Sequence, residues 1–209
     1  MISWPFLAVL FSGWLYIDAA YRGPQWQCWL FRPVTLLLLV FWAWSADITD
    51  ASGYLIMAGL FVMLMADGWQ MLSSERLLPA IFLLSLSFLL YTISFALQMN
   101  FSFYLPLLAI LLILSVIVLI IIWTPVGSLR APVFFLLAMS FIMAWIAGEQ
   151  YFGLAREHNF SIMIGAFLLF LANSIWLIAN FRYPFKASKA TITACYFIGQ
   201  FLIVRSLYL

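Results

Sequence analysis

The chain has 209 residues, of which 67% are hydrophobic and only 8% are charged, and its formal net charge at pH 7 is +2. This composition excludes a soluble globular domain and is typical of proteins whose helices cross a membrane several times. The small net charge also gives no reason to expect a nucleic-acid partner.

Cysteine and histidine are too few to build a metal centre. The chain has two cysteines, Cys28 and Cys195, and one histidine, His158, and they do not have the spacing of a metal-binding motif. The two cysteines also define no disulfide framework. We therefore expect no metal ion and no organic cofactor.

The apolar residues form long unbroken runs, such as 107–123, which lack the alternating pattern of barrel strands. A helix needs about 20 apolar residues to cross the hydrocarbon. We predict an all-α, polytopic integral membrane protein with eight transmembrane helices in one bundle, which is a single domain over residues 1–209. The predicted spans are 2–20, 27–46, 54–72, 79–99, 104–123, 131–151, 161–180 and 190–208.

The distribution of Lys and Arg predicts the orientation, because these residues are enriched on the cytoplasmic side. The connections after the first, third, fifth and seventh spans hold, with their flanks, Arg22, Arg32, Arg76, Arg130, Arg182, Lys186 and Lys189. The other side holds only Arg156 and Arg205. We therefore expect both termini in the periplasm of a bacterium whose inner membrane contains the protein.

One carboxylate, Asp67, lies well inside a span, the third. A charged side chain at the bilayer centre costs about 2.5–3.5 kcal/mol on insertion scales unless it faces protein or a water-filled cavity. Asp67 is therefore our first candidate for a ligand-binding or catalytic residue, and the alternative is a structural acid paired with an arginine. Glu149 lies at the end of the sixth span, where we interpret it as an interfacial acid that reaches water.

Polar side chains on three other spans repeat at helical spacing, so each set shares one helix face. Interhelical hydrogen bonds would explain each set alone, but together with Asp67 they indicate a shared polar interior. From the orientation, we predict a cavity that opens toward the cytoplasmic leaflet with arginines at its rim. The sets are Ser87, Tyr91, Ser94 and Gln98 in the fourth span, Asn173 and Asn180 in the seventh, and Thr193, Tyr196 and Gln200 in the eighth.

The fifth and sixth spans contribute to packing instead. Ser115 is the only such polar side chain of the fifth span, which we expect at the periphery of the bundle. Ser140, Ala144 and Gly148 form a small-residue face on the sixth span that lets another helix approach closely.

The spacing of two residue pairs suggests an internal repeat. Asp67 precedes Tyr91 by 24 residues and Asn173 precedes Tyr196 by 23, each pair linking the third and fourth spans of a four-span half. A parallel 4+4 duplication would explain this spacing and would place a site between the halves. Chance is the alternative explanation.

Several short motifs give the chain a family resemblance. They are Arg32-Pro33 in the second span, Ala66-Asp67 in the third, Phe88-Leu-Leu-Tyr91 in the fourth, Gly165-Ala166 followed by Ala172-Asn173 in the seventh, and Tyr196 with Gln200 in the eighth. With these motifs the whole chain resembles the YhhN/lysoplasmalogenase-like family of eight-helix membrane proteins. The resemblance implies hydrolysis of the vinyl-ether bond of a lysoplasmalogen, a lysophospholipid, to a fatty aldehyde and a glycerophospho-alcohol.

The resemblance also implies roles for the matching residues. Asp67 would be the acid and Arg32 would hold the lipid phosphate, while Tyr91, Tyr196 and Gln200 would position substrate and water. Asn173 stands where the family has a second acid, and Phe88 replaces a family histidine. Two alternatives to an ether hydrolase therefore stay open: a non-catalytic lipid-binding or lipid-handling protein, and a small transporter that uses Asp67 as a proton or cation site.

Overall fold

All regular secondary structure in the described part of the chain is helical. The computed structural model describes residues 7–8, 11–15, 18, 25–72, 77–98, 103–183 and 187–209. Its first helix, α1, is described at positions 7–8, 11–15 and 18. The others are α2 (Gln25–Trp44), α3 (Ala51–Leu72), α4 (Leu77–Leu97), α5 (Leu105–Ile122), α6 (Arg130–Gly153), α7 (Glu157–Phe181) and α8 (Ser188–Ser206), with a 3₁₀ turn at Gly127–Leu129 before α6.

Five of these helices are long and apolar enough to cross a membrane, namely α3 to α7. Among the residues of α2 whose side chains are described, the apolar stretch is Arg32–Trp44, and α8 contains the polar side chains of Thr193, Tyr196 and Gln200. The predicted all-helical fold is confirmed, whereas the count of eight spans and the 4+4 repeat stay predictions. Most of span 2–20, together with Arg22, Arg76 and Lys186, lies outside the described residues.

The helices pack around one large and one small apolar core. The large core lies between α3, α4, α6 and α7 and includes Tyr91, Phe95 and Met143. The small core joins α2 to α8 through residues such as Leu39, Trp42 and Phe201. The predicted peripheral position of α5 is confirmed, since this helix buries only four side chains, those of Leu107, Leu111, Val118 and Ile122.

Two glycines let α7 and α8 approach closely. A Cβ atom added to Gly165 would lie 2.8 Å from the carbonyl oxygen of Gly199, and one added to Gly199 would lie 2.9 Å from that of Gly165. Real side chains do not tolerate such distances from a backbone atom, so the two backbones meet only because both residues lack a side chain.

A group of hydrogen bonds shows which helix ends lie together. Gln98 at the end of α4 donates to the Ser52 hydroxyl at the start of α3 over 2.6 Å. The His158 ring at the start of α7 lies 3.0 Å from Gln98 Oε1 and 2.8 Å from the carbonyl oxygen of Ser206 at the end of α8. These four helix ends therefore form one end of the bundle. Asp67 follows Ser52 by fifteen residues, about 22 Å along a helix, and lies toward the other end.

Glu149 is a structural acid, but it does not reach water as we expected. It is 0% exposed and accepts the backbone N–H of Tyr104 on both oxygens, at 2.8 and 3.1 Å, and the indole N–H of Trp145 at 3.0 Å. Tyr104 immediately precedes α5, where a negative charge is favourable because the helix dipole is positive. The sequence shows that Glu149 lies near a span end. It does not show that the start of α5 packs against this side chain.

Candidate functional site

The predicted residues Arg32 and Asp67 form an ion pair. The guanidinium Nη2 of Arg32 lies 2.5 Å from Oδ1 of Asp67, which joins α2 to the last turns of α3. The Asp67 side chain is only 2% exposed, whereas that of Arg32 is 27% exposed. The pair therefore has a buried anionic side and an accessible cationic side.

Tyr196 of α8 contacts the other oxygen of the same carboxylate. Its hydroxyl donates to Oδ2 of Asp67 over 3.0 Å, so both carboxylate oxygens have a protein partner. Arg32 Nη2 also lies 3.4 Å from Oε1 of Gln70, one turn after Asp67 on α3. Residues from α2, α3 and α8 thus meet around one carboxylate, and we call Arg32, Asp67 and Tyr196 the carboxylate cluster.

Tyr91 and Gln200 form a second contact next to this cluster. The Tyr91 hydroxyl donates to Oε1 of Gln200 over 2.7 Å, and Gln200 lies one helical turn after Tyr196 on α8. Both side chains are 0% exposed, and Nε2 of Gln200 has no hydrogen-bond partner in the described part of the protein. A buried amide donor without an acceptor costs free energy, so this N–H is available to an oxygen atom of a ligand or a water.

Asn173 is held by a different helix from the ones that hold Asp67. Its amide donates to the Ser140 hydroxyl of α6 over 3.0 Å, and both residues are buried. Among the described hydrogen bonds none joins Asn173 to the carboxylate cluster. Asn180, which we placed on the same polar face, is exposed.

Two serines of the predicted polar face of α4 serve in helix packing. The Ser87 hydroxyl donates to the carbonyl oxygen of Gly59 over 2.8 Å, and the Ser94 hydroxyl donates to that of Ser52 over 2.8 Å. These bonds join α4 to α3. For these two residues the alternative of interhelical hydrogen bonds therefore describes the contacts better than a shared polar interior.

The described residues contain no group of three or more His, Cys, Asp or Glu side chains that could hold a metal ion. The polar groups around Asp67 are an arginine, a tyrosine and an amide, and the cation next to the carboxylate is the guanidinium of Arg32.

Comparison with known proteins identifies the family. A family model described as the YhhN family matches residues 27–207. The chain belongs to this family. It is 48% identical over 206 residues, 99% of both chains, to proteins described as uncharacterized membrane protein YhhN from Escherichia coli O6:H1 strain CFT073, Escherichia coli O157:H7 and Shigella flexneri. No solved structure matches the chain.

This YhhN family member is thus a multi-pass membrane protein whose candidate site contains two residues that we did not select from the sequence. Gln70 contacts Arg32, and its position three residues after Asp67 on α3 was the available signal. Gly59 makes room for the Tyr91 ring, because a Cβ atom there would lie 2.6 Å from Cε1 of Tyr91. No sequence signal links Gly59 to Tyr91, since the contact depends on how α3 packs on α4.

Proposed function

We propose that this YhhN family member hydrolyses the vinyl-ether bond of a lysoplasmalogen-type lysophospholipid. The observation that supports the proposal best is a buried carboxylate, Asp67, bound to an accessible arginine and to a tyrosine. An ether hydrolase that acts on a phospholipid needs a proton donor in a water-poor site and a cation for the phosphate.

Substrate binding would change the partners of Asp67. Arg32 is 27% exposed and presents a planar guanidinium that binds phosphate through two parallel hydrogen bonds. When a lipid phosphate takes Arg32, the Asp67 carboxylate loses its cation and keeps the Tyr196 hydroxyl.

The reaction transfers one proton to the substrate and later removes one proton from the attacking water. Asp67 would give its proton to the β-carbon of the vinyl ether, and the C=C electron pair would form the new C–H bond and leave an oxocarbenium ion. Water would attack that cation and lose a proton to the Asp67 carboxylate. The hemiacetal would then break its C–O bond to the glycerol oxygen, which takes up the proton of the hemiacetal hydroxyl, to give the aldehyde and the glycerophospho-alcohol.

One carboxyl group can perform both proton transfers, which accommodates an amide at position 173. Asp67 acts first as acid and then as base, as one residue does in retaining glycosidases. The Nε2–H of Gln200, which lacks a partner among the described residues, could hold the attacking water by its oxygen. In this scheme Asn173 is not required to accept a proton.

Aldehyde release from a lysoplasmalogen by the purified protein tests the proposal. We expect Asp67→Asn to lower the rate at least a hundredfold, because the amide cannot donate the proton. Asp50→Asn is the matched control, since Asp50 is an exposed acid before α3. Equal rates for the wild type and Asp67→Asn would refute the role of Asp67.

Asn173→Asp tests the second acid position. Ser140 can keep its hydrogen bond to an aspartate if its hydroxyl turns away from the Leu137 carbonyl, to which it now donates over 2.9 Å. A higher rate in Asn173→Asp would indicate that the amide limits turnover. An unchanged rate would favour the scheme with one carboxyl group.

The second candidate function is lipid binding without catalysis. The ion pair favours this second function. Arg32 compensates the charge of the Asp67 carboxylate, whereas catalysis requires Asp67 to donate a proton. In that case the wild type would bind lysophospholipid and release no aldehyde over long incubation, and Arg32→Gln would weaken the binding.

A further inference from the structure

A cleft at the bundle end opposite Asp67 brings together the two arginines that the positive-inside pattern leaves unexplained. Arg156 immediately precedes α7 and Arg205 lies in the last turn of α8, and both line this cleft of about 450 Å³. Clefts of about 300–1,000 Å³ commonly hold small molecules. Two positive charges that line one cleft repel each other, so their position together needs an explanation.

The charge of the cleft suits a monoanion. Both arginine residues are exposed, and in the part of the chain that the structure describes neither forms an ion pair with a carboxylate. Glu157 is the one acidic residue among those lining the cleft and leaves an excess of one positive charge. A phosphate diester carries one negative charge and accepts the planar hydrogen bonds of arginine.

The walls of the cleft are built by packed side chains and one interhelical hydrogen bond. The Ser161 hydroxyl of α7 donates to the carbonyl oxygen of Leu202 in α8 over 2.8 Å and fixes the two helices at this depth. The rings of Tyr151 and Phe160 lie 5.5 Å apart at one side of the cleft. The opening is therefore framed by α6, α7 and α8 together with the short connection between α6 and α7, which holds Ala155 and Arg156.

Exposed apolar side chains lead from the cleft toward the middle of the bundle. On α7, Phe160 is 49% exposed, Ile164 lies one turn further, and Leu171 is 42% exposed. On α8, Leu202 lines the cleft and Ile198, one turn nearer the middle, is 48% exposed. An acyl chain attached to a phosphate in the cleft would cover these side chains.

We propose that this cleft binds the phosphate diester of a membrane phospholipid through Arg156 and Arg205, with an acyl chain along the apolar faces of α7 and α8. Basic pockets between transmembrane helices hold lipid head groups on the cytoplasmic side of membranes, and we expect the same chemistry at this end of the bundle. The site is separate from the carboxylate cluster and does not depend on the hydrolase proposal.

Binding of dioctanoyl phosphatidylglycerol to the full-length protein in dodecyl maltoside tests the proposal. The measurement is made in an Arg32→Gln/Asp67→Asn background, so that binding at the carboxylate cluster does not contribute and no buried charge is left unpaired. We expect the Arg156→Gln/Arg205→Gln double substitution to weaken binding at least tenfold. Arg130→Gln, which removes an exposed arginine at the other end of α6, should leave the affinity unchanged.

Glu157→Gln is expected to increase the affinity for the phospholipid, and a misfolded variant would not show such an increase. Removing the opposing charge should tighten binding several-fold. Dioctanoylglycerol, which lacks the phosphate, should bind at least tenfold more weakly than the phospholipid, and inorganic phosphate should not compete at millimolar concentration. Equal affinity in the double substitution, equal binding of dioctanoylglycerol, or competition by inorganic phosphate would each overturn the proposal.

Discussion

The carboxylate of Asp67 is bound on both oxygens by side chains from two other helices. The Arg32 side chain of α2 is 27% exposed, and Tyr196 of α8 is half-buried. Both partners are therefore more accessible than the carboxylate between them. Each partner also compensates for the desolvation of a charge that is 2% exposed.

Removal of Arg32 should destabilise the protein more than removal of the whole pair. Arg32→Gln leaves Asp67 buried with only the Tyr196 hydroxyl, and we expect a loss on the order of 3 kcal/mol in the free energy of unfolding. Arg32→Gln/Asp67→Asn removes both charges and should recover most of this loss. Thermal unfolding in detergent measures the difference, and a double substitution no more stable than Arg32→Gln would contradict the expectation.

Tyr91→Phe should cost about 1–3 kcal/mol, because it leaves both polar atoms of the Gln200 amide without a partner in the described part of the bundle. Adding Gln200→Leu removes the unpaired amide and should restore stability. Tyr54→Phe, at an exposed tyrosine on α3, is the control for loss of a hydroxyl. Melting temperatures of the three variants test this, and an unchanged value for Tyr91→Phe would refute the contact.

At the residue scale, the sequence indicates which polar side chains lie inside the bundle but not how they pair. Asp67, Tyr91, Asn173 and Gln200 are all buried, as their positions in apolar spans predict. Their partners are 35 and 129 residues from Asp67 in the cluster and 109 residues from Tyr91 in the second contact. Helical periodicity relates residues within one span and carries no information on such distant pairs.

At the element scale, α7 and α8 depend on a contact between two backbones. Gly165→Ala would place a methyl group 2.8 Å from the carbonyl oxygen of Gly199, so the helices must separate, at a cost of roughly 1–3 kcal/mol. Gly68→Ala is the matched control, because nothing lies within 4 Å of its added Cβ and alanine favours a helix. Thermal unfolding should show a loss for the first and none for the second.

Helix boundaries follow from the apolar runs to within a few residues, with one instructive difference. We predicted the seventh span to begin at residue 161, but α7 begins at Glu157. The polar residues Glu157, His158 and Asn159 suggested a connection. Two of these side chains have partners outside α7: His158 Nδ1 lies 2.8 Å from the Ser206 carbonyl oxygen, and Asn159 donates to the Leu154 carbonyl over 2.7 Å.

At the scale of the whole molecule, the ends of the helices fall into two groups with different chemistry. One end carries Gln98, His158 and the cleft of Arg156 and Arg205, and Asp67 lies toward the other. The distribution of Lys and Arg predicts that the Asp67 side is cytoplasmic. Composition predicted this polytopic helical architecture, because long apolar runs with so few charges are typical of helices whose outer faces are covered by lipid.

Single cysteines test the orientation. In a Cys28→Ser/Cys195→Ser background, we expect Asp50→Cys to react with a membrane-impermeant maleimide in intact cells, because its connection is predicted to be periplasmic. Arg182→Cys, exposed after α7, should react only after the cells are permeabilised. The opposite labelling pattern would reverse the topology.

The two ends of α2 are fastened in different ways. At the Trp42 end, the Tyr208 hydroxyl donates to the Trp42 carbonyl, and the Trp42 ring stacks on those of Phe201 and Tyr208. In its other half, the ion pair of Arg32 with Asp67 joins α2 to α3. A phosphate that takes Arg32 would thus remove one link between these two helices, while the contacts at the Trp42 end stay in place. The ion pair that compensates the charge of Asp67 is therefore also a contact that joins two helices.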